Sequence, residues 1–442
     1  MRPALKGNPK FLTLLQTRVH YESVAEGTPS GVVFGLDRRN GVTVSGRSGR
    51  RSSTQGILAG IGVVSVALAV AATATAAATS MRFAREIVAP RWRNADDLQV
   101  LGVDTAAATV TLSSQADSLL PGVYGLWFSR DSGYAVVGEI LATTQTSVTR
   151  RLVRVLFGDL DHARRARMSG WVHLSPDELD FDYETVLVKT PVGLAPAWRI
   201  PAATETGRWV IQVHGRGVTR AEALRTVPTF RELGFTSLLV SYRNDGDAPA
   251  SDDGRCGLGD FEWRDVEAAV QYALDNDAHE VVLMGWSMGG TAVLQVLKRS
   301  PLAGQIAGVI LDSPVVDWAA TLMYAADTRG LPAPLREGAL ALVTRRWGRP
   351  ITGQKQPIDF DRLDVIAWSA KLTTPTLILH SDDDRYVPSG ASRELAALRP
   401  DAVTLVPFDT AGHTRLWNYD PERWTAAIVG WLVEQNLVDQ PE

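Results

Sequence analysis

A serine set between glycines, a histidine near the C-terminal end and a run of aspartates between them could together perform nucleophilic chemistry. The serine is Ser287, in Gly285-Trp286-Ser287-Met288-Gly289-Gly290. A serine hydroxyl is a poor nucleophile until a base accepts its proton and an acid orients that base. Downstream of Ser287 the histidines are His380 and His413. His413 lies in Ala411-Gly-His-Thr414, a loop expected between the last strand and the last helix, and is the expected base. His380 ends an apolar run and reads as a structural hydrogen-bonding residue. The acid is expected from the adjacent Asp382, Asp383 and Asp384, among which the residues alone do not choose. Asp312, at the end of the preceding strand, is a further geometric candidate.

These residues need elements to place them. The apolar run 279–284 reads as a buried strand. Thr291 to Lys298 has helical spacing, with Ala292, Val293, Val296 and Leu297 on one face. The pattern predicts strand, sharp turn and helix, with Ser287 at the apex. Positions two before and two after such a serine are crowded, so Gly285 and Gly289 fit where larger residues would clash. The turn raises the hydroxyl and aims the Met288 N–H, at a helix N-terminus, toward a developing oxyanion. His214-Gly-Arg-Gly217 ends another apolar run. Its Gly215 and Gly217 allow close backbone approach, and the Arg216 N–H is the expected second oxyanion donor.

From residue 181 to 437 strand and helix patterns alternate after an opening hairpin, which implies a mainly parallel sheet with helices on both faces. Residues about 315–370 interrupt this rhythm with helical sequence and are expected to form a cap over the site. Residues 82–180 carry short strand patterns split by turn residues such as Asp131-Ser-Gly133 and read as a small β-rich accessory domain. Residues 1–53 are polar and Arg-rich and read as a disordered basic tail. Between Ser52 and Met81 there is no charged residue. The stretch 54–80 is long enough to cross about 30 Å of hydrocarbon and is expected to be a transmembrane helix or signal anchor, with a cleaved signal peptide as the rival. Arg50-Arg51 before it favours an inside N-terminus and an extracytoplasmic catalytic domain; cleavage would make the protein secreted.

Composition excludes several function classes. A net charge of −4 argues against nucleic acid as the main partner. Cys256 is the sole cysteine, so there is no intramolecular disulfide and no multi-cysteine zinc site. Cys256 also lacks an elbow and is a poor candidate nucleophile. Asp245 to Asp260 lacks the spacing of a calcium loop and reads as a flexible loop near the site.

With these segments in view, residues 181–437 resemble the α/β-hydrolase superfamily, nearest to serine-aminopeptidase-like and esterase-like members. The resemblance rests on His214-Gly-Arg-Gly217, Ser241-Tyr-Arg-Asn-Asp-Gly246, Gly285-Trp-Ser-Met-Gly289, and the aspartate and histidine loops. The family's acid loop commonly reads H-G-x-x-D-x-x-V-P. Matching Val387-Pro388 to it implies Asp384 as the acid, with Ser381 where the family has glycine. With the apolar stretch and an Arg-rich composition, the chain resembles membrane-attached hydrolases of actinobacteria. The implied activity is hydrolysis of an ester or other acyl bond of a small molecule by Ser287, His413 and Asp384, without metal or cofactor. Amide or peptide cleavage and a non-catalytic binding protein are the alternatives, and residues 82–180 could serve as an adaptor.

Overall fold

The computed structural model describes residues 71, 73–90 and 95–439. The tail 1–53 and most of the apolar stretch 54–80 lie outside the described residues. Among the described residues no helix is long and apolar enough to cross a membrane. Helix α1 covers residues 73–88.

Six strands follow, β1 (Leu98–Asp104), β2 (Thr109–Ser113), β3 (Tyr124–Phe128), β4 (Gly133–Thr143), β5 (Ser147–Phe157) and β6 (Arg165–Ser169). They close into an antiparallel barrel in the order β1-β2-β5-β4-β3-β6. Alternation explains the closure. In β5, Val148, Arg150 and Leu152 point inward and are buried, while Arg151 and Val153 face out. The interior is filled by Leu112, Tyr124, Leu126, Phe128 and Val137. Arg150 is a charge inside this interior. Its guanidinium donates to the carbonyls of Gly138, Ser118, Leu120 and Gly122 at 2.8–2.9 Å, which offsets its desolvation.

The barrel is narrower than the β-rich unit expected over 82–180. Phe83, Ala84, Ile87 and Val88 of α1 pack instead in the core of the sheet domain. Their helical spacing buries one face of α1 against that core, so the boundary falls after the helix.

The second sheet has eight strands in the order β14-β13-β12-β11-β9-β10-β8-β7. A hairpin of β7 (Glu184–Thr190) and β8 (Gly193–Ile200) forms its antiparallel edge. The rest run parallel: β9 (Arg208–Val213), β10 (Phe235–Val240), β11 (Glu280–Trp286), β12 (Ile306–Asp312), β13 (Thr376–Ser381) and β14 (Val403–Phe408). Strand β11 is buried on both faces, with Val281 and Leu283 in one core and Val282, Met284 and Trp286 in the other. That is why its sequence is a continuous apolar run rather than an alternating one.

Helices cover both faces. α2 (Val227–Glu232) continues a short 3-10 helix, Arg220–Thr226. Pro228 has no N–H to give to the preceding turn, which suits the first turn of a new helix. α3 (Trp263–Asp275) and α4 (Met288–Arg299) lie against the first core. After β12 the chain leaves the sheet for α5 (Trp318–Asp327), α6 (Ala333–Thr344), α7 (Arg349–Thr352), α8 (Phe360–Leu363) and α9 (Val365–Trp368), the region expected as a cap. α10 (Gly390–Leu398), α11 (Leu416–Tyr419) and α12 (Pro421–Glu434) complete the chain.

Polar contacts join barrel and sheet domain. Arg225 donates to the Gly170 carbonyl at 2.8 Å and to Asn418 at 3.0 Å, while Asn418 donates to the Val123 carbonyl at 2.8 Å. Arg415 pairs with Asp117 of the barrel at 2.8 Å.

Candidate active site

Because β9, β11, β12, β13 and β14 are parallel, their C-terminal ends share one edge of the sheet, where the loops after them meet. Ser287 sits between β11 and α4 with φ 50° and ψ −116°, a strained conformation for a residue with a side chain. Its N–H donates to the Asp312 carbonyl at 3.1 Å and its carbonyl accepts from Val315 N–H at 3.2 Å, so neighbouring backbone holds the bend. The flanking glycines are steric requirements. A Cβ on Gly289 would lie 2.1 Å from the Val213 carbonyl oxygen, and one on Gly285 would lie 2.7 Å from Gly290 Cα.

The Ser287 hydroxyl lies 2.9 Å from His413 Nε2, and His413 Nδ1 lies 2.6 Å from Asp384 Oδ2. With Asp384 ionised, Nδ1–H donates to it and Nε2 is left free to accept from the serine. Asp384 Oδ1 accepts from the N–H groups of Tyr386 and Val387, each at 2.8 Å. Burial opposes the charge on Asp384, but the charge and hydrogen bonds of His413 and His380 outweigh it and hold the carboxyl well below the usual range. Burial likewise opposes charging His413, yet the Asp384 charge and hydrogen bond dominate and raise its pKa.

The adjacent aspartates, among which only the family pattern chooses Asp384, divide three tasks. Asp382 faces solvent and pairs with Arg393 and Ser389. Asp383 accepts the N–H groups of Ala411 and Gly412 at 3.1 and 2.9 Å, which anchors the loop carrying His413. Ser381 joins it, donating to Asp383 at 2.7 Å and accepting from Ala411 N–H at 3.0 Å. The serine that replaces the family's glycine therefore fastens the base loop. Sequence reasoning missed Ser381 and Asp383 because their partners lie about thirty residues on, and nothing local marks them.

The other candidates are placed elsewhere. Asp312 binds Trp424 Nε1 at 3.1 Å and the Ser313 hydroxyl at 3.0 Å, and these contacts explain its burial without His413. His380 is held between the Val387 carbonyl at 2.9 Å and Ser392 at 2.8 Å. Burial pushes the Cys256 thiol up to about 12, so it is no thiolate nucleophile near neutrality. Asp245 to Asp260 is tied down rather than loose. Asn244 bonds Ser251 and the Arg255 carbonyl, and Asp260 pairs with Arg299 and Arg362. Among the described residues no group of acids, histidines and cysteine could hold a metal ion.

The loop after β9 approaches the elbow. A Cβ on Gly215 would sit 3.4 Å from Ser287 Cβ, and Gly217 has a φ of +77° that favours glycine. The Gly215 carbonyl accepts from Tyr242 Oη at 2.8 Å and from His214 Nδ1 at 2.7 Å. All peptides described are trans, so the Arg216 N–H on that same planar unit points away from Tyr242 and His214. His214 is fully buried, stacks on Tyr242 and lies 2.6 Å from Asp245. Met288 is buried as the first residue of α4. A cavity of about 520 Å³ opens over Ser287, His413, Gly215 and Arg216.

A mainly parallel sheet with a strained serine elbow and downstream acid and histidine loops defines the α/β-hydrolase fold. Residues 210–428 match the model of the alpha/beta hydrolase family. Residues 99–169, the barrel, match a domain of unknown function (DUF8805). No curated protein sequence matches the chain. Among solved structures, the chain is similar to the Pyrococcus furiosus esterase Pf2001, at 19% identity and a TM-score of 0.47, over 59% of this chain and 96% of that one. The Exiguobacterium antarcticum esterase EaEST aligns at 17% identity and a TM-score of 0.40, over 56% of this chain and 99% of that one. Ferulic acid-bound Est1E from Butyrivibrio proteoclasticus aligns at 18% identity and a TM-score of 0.43, over 57% and 99%.

Proposed function

We propose that the protein is a serine hydrolase that cleaves a carboxylic ester through an acyl-enzyme. The observation that carries this reading is the hydrogen-bonded chain from Ser287 through His413 to Asp384, at 2.9 and 2.6 Å. Ser287 Oγ attacks the acyl carbon while His413 Nε2 takes its proton. Asp384 keeps the imidazole in the required tautomer and stabilises the imidazolium. The N–H groups of Met288 and Arg216 receive the oxyanion. As the tetrahedral intermediate collapses, His413 returns the proton to the leaving alkoxide. Water then attacks the acyl-enzyme with His413 again as base, which releases the acid and regenerates Ser287. No metal or cofactor enters these steps.

A fluorophosphonate probe tests the nucleophile, since it labels an activated serine and is expected to react at Ser287. Equal labelling of the Ser287→Ala variant would overturn the proposal. A panel of p-nitrophenyl esters and aminoacyl nitroanilides fixes the bond, with ester turnover expected to be faster. Faster anilide turnover would make the protein an amide hydrolase.

The pH profile follows from His413. The base must be neutral to act, and its pKa lies above that of an ordinary histidine. Protonation on acidification therefore removes activity, and the acid limb of kcat/KM is expected at a higher pH than a free imidazole would give. A limb at or below the ordinary histidine range would contradict the pairing with Asp384.

The stretch 54–80, within a charge-free interval, is read as a membrane anchor that holds the catalytic domain on the extracytoplasmic side. Carbonate extraction of membranes from cells expressing the full chain checks this. Retention in the membrane pellet is expected, and complete release, or a shortened product in the medium, would overturn the anchor.

A further inference from the structure

Helix α1 belongs to neither the barrel nor the sheet, yet its last turns are built into the cavity. Phe83 and Ile87 are four residues apart, so they lie on one face of the helix, and both line the cavity. Val315, Trp318 and Leu322 line the cavity too and share one apolar cluster with Phe83 and Ile87. The same cavity also carries charged groups, Asp97, Asp117 and Arg167 from the barrel region and Arg385 and Arg415 from the sheet domain. Ser287 lines the same cavity.

The helix end is fixed from several directions. The Arg216 guanidinium donates to the carbonyls of Glu86 and Ala89 at 2.8 and 2.7 Å, satisfying acceptors that a helix C-terminus leaves open. Ser80 donates to the Leu335 carbonyl of α6 at 2.9 Å. Glu86 pairs with Arg329, just beyond α5, at 2.9 Å, and the same Arg329 lies over the Phe83 ring at 5.4 Å. Cys256 N–H donates to the Val88 carbonyl at 2.8 Å. The residue proposed as an oxyanion donor thus also grips the helix that walls the cavity.

We propose that the C-terminal turns of α1 select the acyl chain. Phe83 and Ile87, clustered with Trp318 and Leu322, form the wall against which an apolar acyl chain lies, and the charged residues of the lining take the polar leaving group. This rests on the ester-hydrolase reading above. The selector would then sit in a segment that precedes the hydrolase domain, rather than in the cap alone.

The test uses the full chain and two substrate series. One varies the acyl chain of p-nitrophenyl esters from acetate to decanoate, and the other varies the alcohol of acetate esters. In the wild type, kcat/KM is expected to rise by about four-fold for each methylene the wall buries. Phe83→Ala removes contact surface and Ile87→Trp fills the space, so each is expected to lower the octanoate-to-acetate ratio by about ten-fold or more. The alcohol series should keep its profile. Fluorophosphonate labelling at Ser287 verifies that each variant has an assembled site, and Phe83→Leu and Ile87→Val provide milder versions with the same direction of change. An acyl ratio within about two-fold of wild type in labelled variants would overturn the proposal. A shift confined to the alcohol series would do the same. Absence of Ser287-dependent turnover on every ester would instead overturn the ester-hydrolase reading, and the selector with it.

Discussion

Ser287→Ala is expected to lower ester turnover by roughly 10⁴- to 10⁶-fold and to leave the fold in place. The change removes only the Oγ, whose recorded partner is His413 Nε2. Alanine meets the same backbone restriction as serine at φ 50°, so the elbow neither gains nor loses much strain. The bend is held by backbone bonds to Asp312 and Val315, which the substitution keeps. Thermal unfolding should therefore shift little while turnover collapses. Side-by-side measurement of kcat and Tm separates this from unfolding. Activity retained within about ten-fold would mean that some other group is the nucleophile.

Asp384→Asn is expected to be the second largest effect, a loss of about 10⁴-fold in kcat. Its size comes from tautomer control. The amide oxygen of asparagine can still accept from the Tyr386 and Val387 N–H groups that now bond Oδ1. The amide nitrogen then faces His413 Nδ1 as a donor. The ring must accept there, so its proton moves to Nε2, which can no longer take the proton of Ser287. Geometry is kept and function is lost. Asp382→Asn supplies the control, because that carboxylate faces solvent and, among the described residues, bonds Arg393 and Ser389 rather than His413. It is expected to stay within about two-fold of wild type, the usual result for a surface substitution away from such features. Equal effects at 382 and 384 would remove the reason for assigning the acid to Asp384.

Some of this was legible along the chain because the physics is local. A strained turn between strand and helix tolerates no Cβ two positions to either side, so the glycines at 285 and 289 announce the elbow. Fully buried parallel strands such as β11 must be apolar on both faces, so they appear as short continuous apolar runs. The order of serine, acid loop and histidine follows from one parallel sheet delivering successive loops to the same edge.

Other features depend on partners far apart in sequence. Composition cannot distribute three consecutive carboxylates among solvent, a backbone anchor and an imidazole, because each choice is made by whatever lies opposite. Ser381 and Asp383 acquire their task only when the loop at 411–413 folds back over them. The strand patterns of residues 98–169 announced β structure but not its closure, since pairing β1 with β6 requires contacts nearly seventy residues apart. Sequence likewise put the accessory boundary at residue 82, because an apolar face on α1 does not say which core it joins. Tertiary packing settled that by setting Phe83 and Ile87 in the wall of the cavity and Arg216 on the carbonyls at the helix end. By itself the sequence determined which residues could react and in what order they come. Tertiary structure decided what the two neighbouring carboxylates do and which helix lines the cleft, because both depend on distances between parts of the chain that meet only on folding.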